Sequence, residues 1–97
     1  MKTLKFDWDQ WNVQKNEAKH GVSSLEAESC FYDPNHHIYE DMAHSAKEKR
    51  YILYGKGLEN RTLMVGFTLR KGRVRIITAR PASRKERRIY EGEKEGD

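Results

Sequence analysis

The sequence predicts an α+β fold, and three observations carry that reading. Two helical segments come early, and strand-like segments follow them. The clearest pair of strands is joined by a Lys71-Gly72 turn, which makes an antiparallel hairpin. A chain of 97 residues has room for a single domain with a compact core. The expected architecture is N-terminal helices packed on a small antiparallel sheet, closed by a short C-terminal helix. The domain is placed at residues 1–90, with 91–97 as a disordered tail.

Leu4-Lys5-Phe6-Asp7-Trp8 alternates apolar and polar side chains, as a short strand does. Asp9 suits a helix N-cap, and Gln10 to His20 contains neither Pro nor Gly. Trp11, Ala18 and Val22 are expected to share an apolar face, with Trp8 and Trp11 in the core. Gly21 is placed to end the helix in the left-handed conformation. Ser23-Ser24-Leu25-Glu26 fits a capping box that opens a second helix, with Leu25, Ala27, Cys30 and Phe31 as its apolar contacts. Asp33-Pro34 stops it, because a residue before proline avoids helical angles.

His36 to Glu40 is a weak strand, and Arg50 to Gly55 a better one. In Arg61 to Arg70, Leu63, Val65, Phe67 and Leu69 alternate with Thr62, Met64, Gly66, Thr68 and Arg70. In the return strand, Arg73 to Arg80, simple alternation puts Val74, Ile76 and Thr78 on one face. It puts Arg73, Arg75, Ile77 and Ala79 on the other. Pro81 ends this strand, and Ser83-Arg84-Lys85-Glu86 is a second capping box, opening a helix to about Tyr90.

Charge is divided along the chain. Residues 1–48 hold five Lys or Arg against nine Asp or Glu, whereas the whole chain is at +4. Arg70 to Arg88 alone holds nine basic residues and only Glu86 against them. Such a block fits a polyanionic partner, or else a solvated basic face. No apolar run approaches the roughly 20 residues that cross a bilayer. The opening Met1 to Asp7 lacks a signal-peptide core. A single cysteine, Cys30, forms no internal disulfide. A cytoplasmic location and no membrane association are therefore expected.

Phe6-Asp7-Trp8-Asp9, then Asn16-Glu17-Ala18-Lys19-His20-Gly21-Val22-Ser23, resembles the N-terminal signature of BrnT-like toxins. Phe31 with Asp33-Pro34, Glu48-Lys49-Arg50-Tyr51, and Phe67-Thr68 with Arg70 continue the likeness in order. Arg75 to Arg80 and Ala82 to Arg87 complete it, so the resemblance runs from Phe6 to Tyr90. One departure is Asn12, where the family often has lysine. The resemblance implies a RelE-like fold and metal-independent RNA cleavage with no cofactor. It also implies a BrnA-like ribbon-helix-helix antitoxin as partner, with operator DNA reached only through the toxin–antitoxin complex.

Metal-free cleavage uses the RNA's own 2′-hydroxyl as nucleophile, so the protein must orient it, stabilise phosphoryl charge and move protons. Arginine forks suit the charge, and histidine suits the proton. The catalytic candidates are His20, Arg75, Arg80 and Tyr90. His20 is equally suited to capping the first helix. Arg80 has a competing ion pair with Glu86 or Glu48. Tyr90 has a competing packing role as the anchor of the last helix. The RNA-binding candidates are Lys19, Arg50, Arg61, Arg70, Arg73 and Arg84; Arg50 and Arg61 open their strands and are suited to line one groove, or equally to pair with Glu48 or Glu59. His36, His37 and His44 have no metal-site spacing, and no metal is expected. The competing reading is a non-catalytic basic module that holds an antitoxin or nucleic acid. Convergence of His20, Arg75 and Arg80 on one pocket discriminates the two.

Overall fold

A computed structural model describes residues 3–92. Strand β1 (Phe6–Asp7) leads into helix α1 (Gln10–His20), then helix α2 (Ser24–Ser29) and a 3₁₀ turn, Cys30–Tyr32. Strand β2 (His37–Glu40), a second 3₁₀ turn (Met42–His44) and strands β3 (Arg50–Lys56), β4 (Thr62–Arg70) and β5 (Arg73–Pro81) follow. Helix α3 (Arg84–Glu91) closes the described chain. Of the expected tail, Glu91 ends this helix and Gly92 caps it with φ 72°, whereas residues 93–97 lie outside the described residues. No helix among the described residues is long and apolar enough to cross a membrane.

The caps are local chemistry. The Asp9 carboxylate accepts from the Trp11 N–H at 2.8 Å. Gly21, at φ 65°, donates its N–H to the carbonyls of Asn16 and Glu17. The Ser83–Glu86 capping box is complete in both directions. The Ser23–Glu26 box is only half formed: the Ser23 hydroxyl accepts from the Glu26 N–H, but the Glu26 carboxylate turns to Arg61 instead. Lys71 and Gly72 take φ 50° and 75°, the two positive angles that a tight hairpin turn requires.

The five strands lie in the order β1-β5-β4-β3-β2. Neighbours are antiparallel except β1, which pairs with β5 in parallel through Phe6↔Val74 and Asp7↔Arg75. The sheet is therefore mixed, correcting the expected all-antiparallel one. Two residues of β1 suffice because α1 takes over the same edge: the buried Asn16 accepts the Ala79 N–H at 3.2 Å.

The inner face is apolar. Leu53, Leu63, Val65, Phe67 and Ile76 pack against Val22, Ala27, Cys30 and Phe31. Phe31 meets Phe67 edge-on at 5.0 Å, and Phe6 at 5.3 Å. Cys30 is buried, and burial first, then nearby Glu26 and Asp33, push its thiol up to about 12, so it is an inert packing group. Three residues expected on apolar faces are outside: Trp11 is 69% exposed, Leu25 64%, and Ala18 is exposed as well. The half-buried and buried stripe of α1 is Asn12, Val13, Asn16 and His20, because the edge of β5 needs a polar partner more than an apolar one. Trp8 is half-buried and donates its indole N–H to Glu28 at 2.5 Å.

One irregularity matters most. Thr78 lies opposite Gly66 but Ile76 lies opposite Phe67, so Ile77 is an extra residue in β5. The bulge reverses the alternation beyond it. Ala79 turns inward with Ile76, and Thr78 and Arg80 turn outward with Arg75, correcting the faces that simple alternation predicted.

Candidate nucleic-acid interface

Because opposed residues share a face, the ladder registers define rows on the outer surface of the sheet. One row is His37, Tyr54, Met64 and Arg80. The next is Tyr39, Ile52, Gly66 and Thr78, and the third is Arg50, Thr68 and Arg75. Arg70 and Arg73 face each other at the far end. Arg50, Arg70, Arg73, Arg75 and Arg80 therefore share one face. Four residue steps along β4, from Met64 to Thr68, separate the Arg80 row from the Arg75 row, roughly 13 Å at about 3.3 Å per residue.

Intramolecular carboxylates occupy several of these arginines. Arg80 holds Glu86 through two bonds, at 2.8 and 3.0 Å, and its pKa is raised mainly by that contact. Burial alone would raise Glu86, but the bonds from Arg80 and Ser83 bring its carboxyl below the ordinary value. Arg75 lies between Asp7 at 3.2 Å and Asp9 at 3.4 Å. Arg70 reaches Glu48 at 3.5 Å. By contrast, the guanidinium groups of Arg50 and Arg73 have no hydrogen bond or ion pair among the described residues.

Arg61 is not on this face. Its guanidinium holds the buried Glu26 with two 2.8 Å bonds and donates to the Gly21 carbonyl at 2.8 Å. It ties the α1–α2 corner to the start of β4, so the expectation that Arg50 and Arg61 line one groove is corrected. Tyr90 donates to Asp33 at 2.6 Å, meets His37 edge-on and lies under Lys56, pinning α3 to the sheet. Burial and then Asp33 push its phenol up to about 12. In Asp33, burial would raise the carboxyl, but donors from Lys56, Tyr90 and Asn35 lower it. His20 ends α1, and no hydrogen bond or ion pair among the described residues joins it to Arg75 or Arg80. Lys19 is exposed in the last turn of α1, and Arg84 is the exposed first residue of α3.

A cleft of about 210 Å³ opens in the middle row. Ile52, Met64, Gly66, Ile77 and Thr78 line it, with Asp41, His44 and Arg50 among its polar groups. Gly66 has no side chain to fill the gap; a Cβ there would stand 2.9 Å from Thr78 Cγ2. Next to it, His44, Arg50 and Arg70 border a second depression with Lys47 and Glu48. No group of three or more His, Cys, Asp and Glu side chains is gathered as a metal site among the described residues.

The model of the BrnT ribonuclease toxin of type II toxin–antitoxin systems matches residues 8–86. The chain belongs to the BrnT family. The crystal structure of the Brucella abortus ribonuclease toxin BrnT is similar to it, with a TM-score of 0.63 and 25% identity. That match covers 84% of this chain and all of the other. No curated protein sequence matches significantly. Membership of the BrnT family makes RNA the target class and an antitoxin the protein partner. Sequence reasoning missed Asp41, the Gly66–Ile77 irregularity, and any role for His44 other than metal binding. An Asp and a His three residues apart are too common to signal a site without the loop that aims them.

Proposed function

We propose that this chain is a metal-independent endoribonuclease whose RNA groove is the arginine-bearing outer face of the sheet. The observation that carries the reading is the bulge at Ile77, which brings Arg80 onto the face that already holds Arg50, Arg70, Arg73 and Arg75. RNA phosphates compete there with Asp7, Asp9 and Glu86 for Arg75 and Arg80, and bind Arg50 and Arg73 with no competitor among the described residues. Cleavage proceeds by attack of the 2′-hydroxyl on the adjacent phosphorus, with arginine charge stabilising the phosphoryl oxygens. The fold is read as RelE-like. The antitoxin is of the BrnA type, a ribbon-helix-helix protein that covers this groove and carries the complex to operator DNA.

Labelled RNA incubated with the full chain in EDTA tests this. Cutting by the wild type and its loss in Arg80→Ala support the reading, and a full requirement for divalent metal sinks it. The internal pairing of Arg75 and Arg80, and the lack of any bond from His20 to either among the described residues, favour a second reading, a binding module without cleavage. RNA bound but uncut in the same assay selects that one.

A further inference from the structure

The arginine face carries charge, but RNA cleavage also needs a group that moves a proton; the Tyr90 hydroxyl is held by Asp33, and no hydrogen bond joins His20 to Arg75 or Arg80 among the described residues. The β2–β3 connection supplies one. Its ends are tied by the Asp41 N–H donating to the Arg50 carbonyl at 2.7 Å. Ser45 braces it from inside: its hydroxyl donates to the Asp41 carbonyl at 2.6 Å and accepts from the Arg50 N–H at 3.1 Å. Asp41 and Arg50 thus stand opposite each other, and the intervening 3₁₀ turn brings His44 back over the cleft.

There His44 Nδ1 lies 2.9 Å from the Asp41 carboxylate. In the neutral ring that contact puts the hydrogen on Nδ1 and leaves the Nε2 lone pair to take a proton. His44 is 66% exposed, so an incoming strand can reach it. Arg50 lines the same cleft, and its guanidinium has no partner among the described residues. A basic nitrogen of fixed orientation and an uncommitted phosphate fork therefore meet in one depression. Its apolar floor of Ile52, Met64 and Ile77 is of a size to take one nucleobase.

We propose that the cleft bounded by Asp41, His44 and Arg50 is the cleavage centre of the ribonuclease site, with His44 as the proton-transfer group. The inference rests on the metal-independent reading above and locates its chemistry. Nε2 of His44 takes the proton from the ribose 2′-hydroxyl as the 2′ oxygen bonds to phosphorus. The bond from phosphorus to the 5′ oxygen breaks, and that oxygen takes a proton from solvent, while His44 later returns its own. The products are a 2′,3′-cyclic phosphate and a 5′-hydroxyl end, with no change in oxidation state. Arg50 holds the non-bridging oxygens as charge builds on them. Asp41 acts through His44 and is a positioning residue. The charged groups facing His44 are Asp41, Arg50, Lys47, Glu48 and Arg70.

The test is cleavage of a short labelled RNA in EDTA by the wild type, His44→Gln and Asp41→Asn, with kcat and KM measured across pH. His44→Gln is expected to lower kcat by about 10²- to 10⁴-fold, leave KM within a few-fold and abolish the acidic limb of the rate profile. Asp41→Asn is expected to lower kcat less and displace that limb. Unchanged thermal midpoints exclude a folding defect. Wild-type cutting with His44→Gln within about threefold of it and the same pH profile overturns this inference alone. A wild type that binds RNA without cutting overturns the metal-independent reading, and this inference falls with it.

Discussion

Arg61 looks from the sequence like one more phosphate ligand, and the structure gives it a different task, so its removal separates folding from binding. Glu26 is 3% exposed, and its carboxylate is held by two 2.8 Å bonds from Arg61. Arg61→Gln keeps much of the volume but withdraws the charge and the fork, stranding a carboxylate in a place water barely reaches. Breaking one partner from such a pair costs about 3–5 kcal/mol. The Arg61 side chain is 38% exposed, so solvent enters from its side and the lower end applies, about 3 kcal/mol. For a domain of this size, that is a fall in Tm of roughly 12–20 °C. Thermal unfolding by circular dichroism reads it. Adding Glu26→Gln to the same chain removes the stranded charge and is expected to restore a large part of the loss. RNA affinity, measured well below the new Tm, is expected to match the wild type. A Tm within about 3 °C of the wild type together with weakened RNA binding would refute the structural assignment and return Arg61 to the groove.

Two further predictions concern the ends of the same face. Tyr90→Phe removes the 2.6 Å bond to Asp33 and is expected to destabilise by about 1–2 kcal/mol while leaving kcat unchanged, as chemical denaturation and the RNA assay will tell. The Asp33 carboxyl is lowered in the folded chain, so its contribution is present above its unfolded value, about 4, and is lost as pH falls through the folded value. The Tyr90→Phe deficit is therefore expected to be full at pH 7 and to shrink on acidification below about pH 4. Arg73→Gln removes a guanidinium that has no partner among the described residues, so stability is expected to hold within about 0.5 kcal/mol. The slope of log affinity against log salt is expected to fall by about 0.7 for single-stranded RNA, and an unchanged slope removes Arg73 from the groove.

What the sequence made legible was mostly local. Asp9, Gly21, Ser83 and Glu86 mark their helix ends through bonds spanning two to five residues, and Lys71-Gly72 fixes its hairpin with two positive φ angles. The features that escaped are non-local. That β1 runs parallel to β5 depends on an edge more than 60 residues away, and on Asn16 satisfying the Ala79 N–H beyond it. That Trp11 faces out follows from the same requirement, which turns a polar stripe of α1 toward the sheet. No periodicity shows either. The extra residue at Ile77 is equally hidden, since Arg75-Ile76-Ile77-Thr78-Ala79-Arg80 reads as an unbroken strand. Yet this one residue decides whether Arg80 faces the core or the groove.

Charge along the chain also misstates charge in space. The basic second half suggests an unbroken field for a polyanion, but the acidic first half folds onto it: Asp7 and Asp9 against Arg75, Glu26 against Arg61, and Glu48 against Arg70. Within the second half, Glu86 occupies Arg80. A count of arginines therefore overstates the number of phosphates the face can hold at no internal cost. Among the described residues the guanidinium groups of Arg50 and Arg73 stand apart from these pairs; Arg50 lies beside Thr68 on β3 and Arg73 beside Arg70 on β5, so β4 lies between them. An RNA strand that binds both must run across the strands of the sheet rather than along one of them. Such a path starts at Arg50, which with His44 lines the Gly66 cleft. The folding devices that neutralise most of the basic face thus leave Arg50 beside His44, an exposed histidine oriented by a carboxylate.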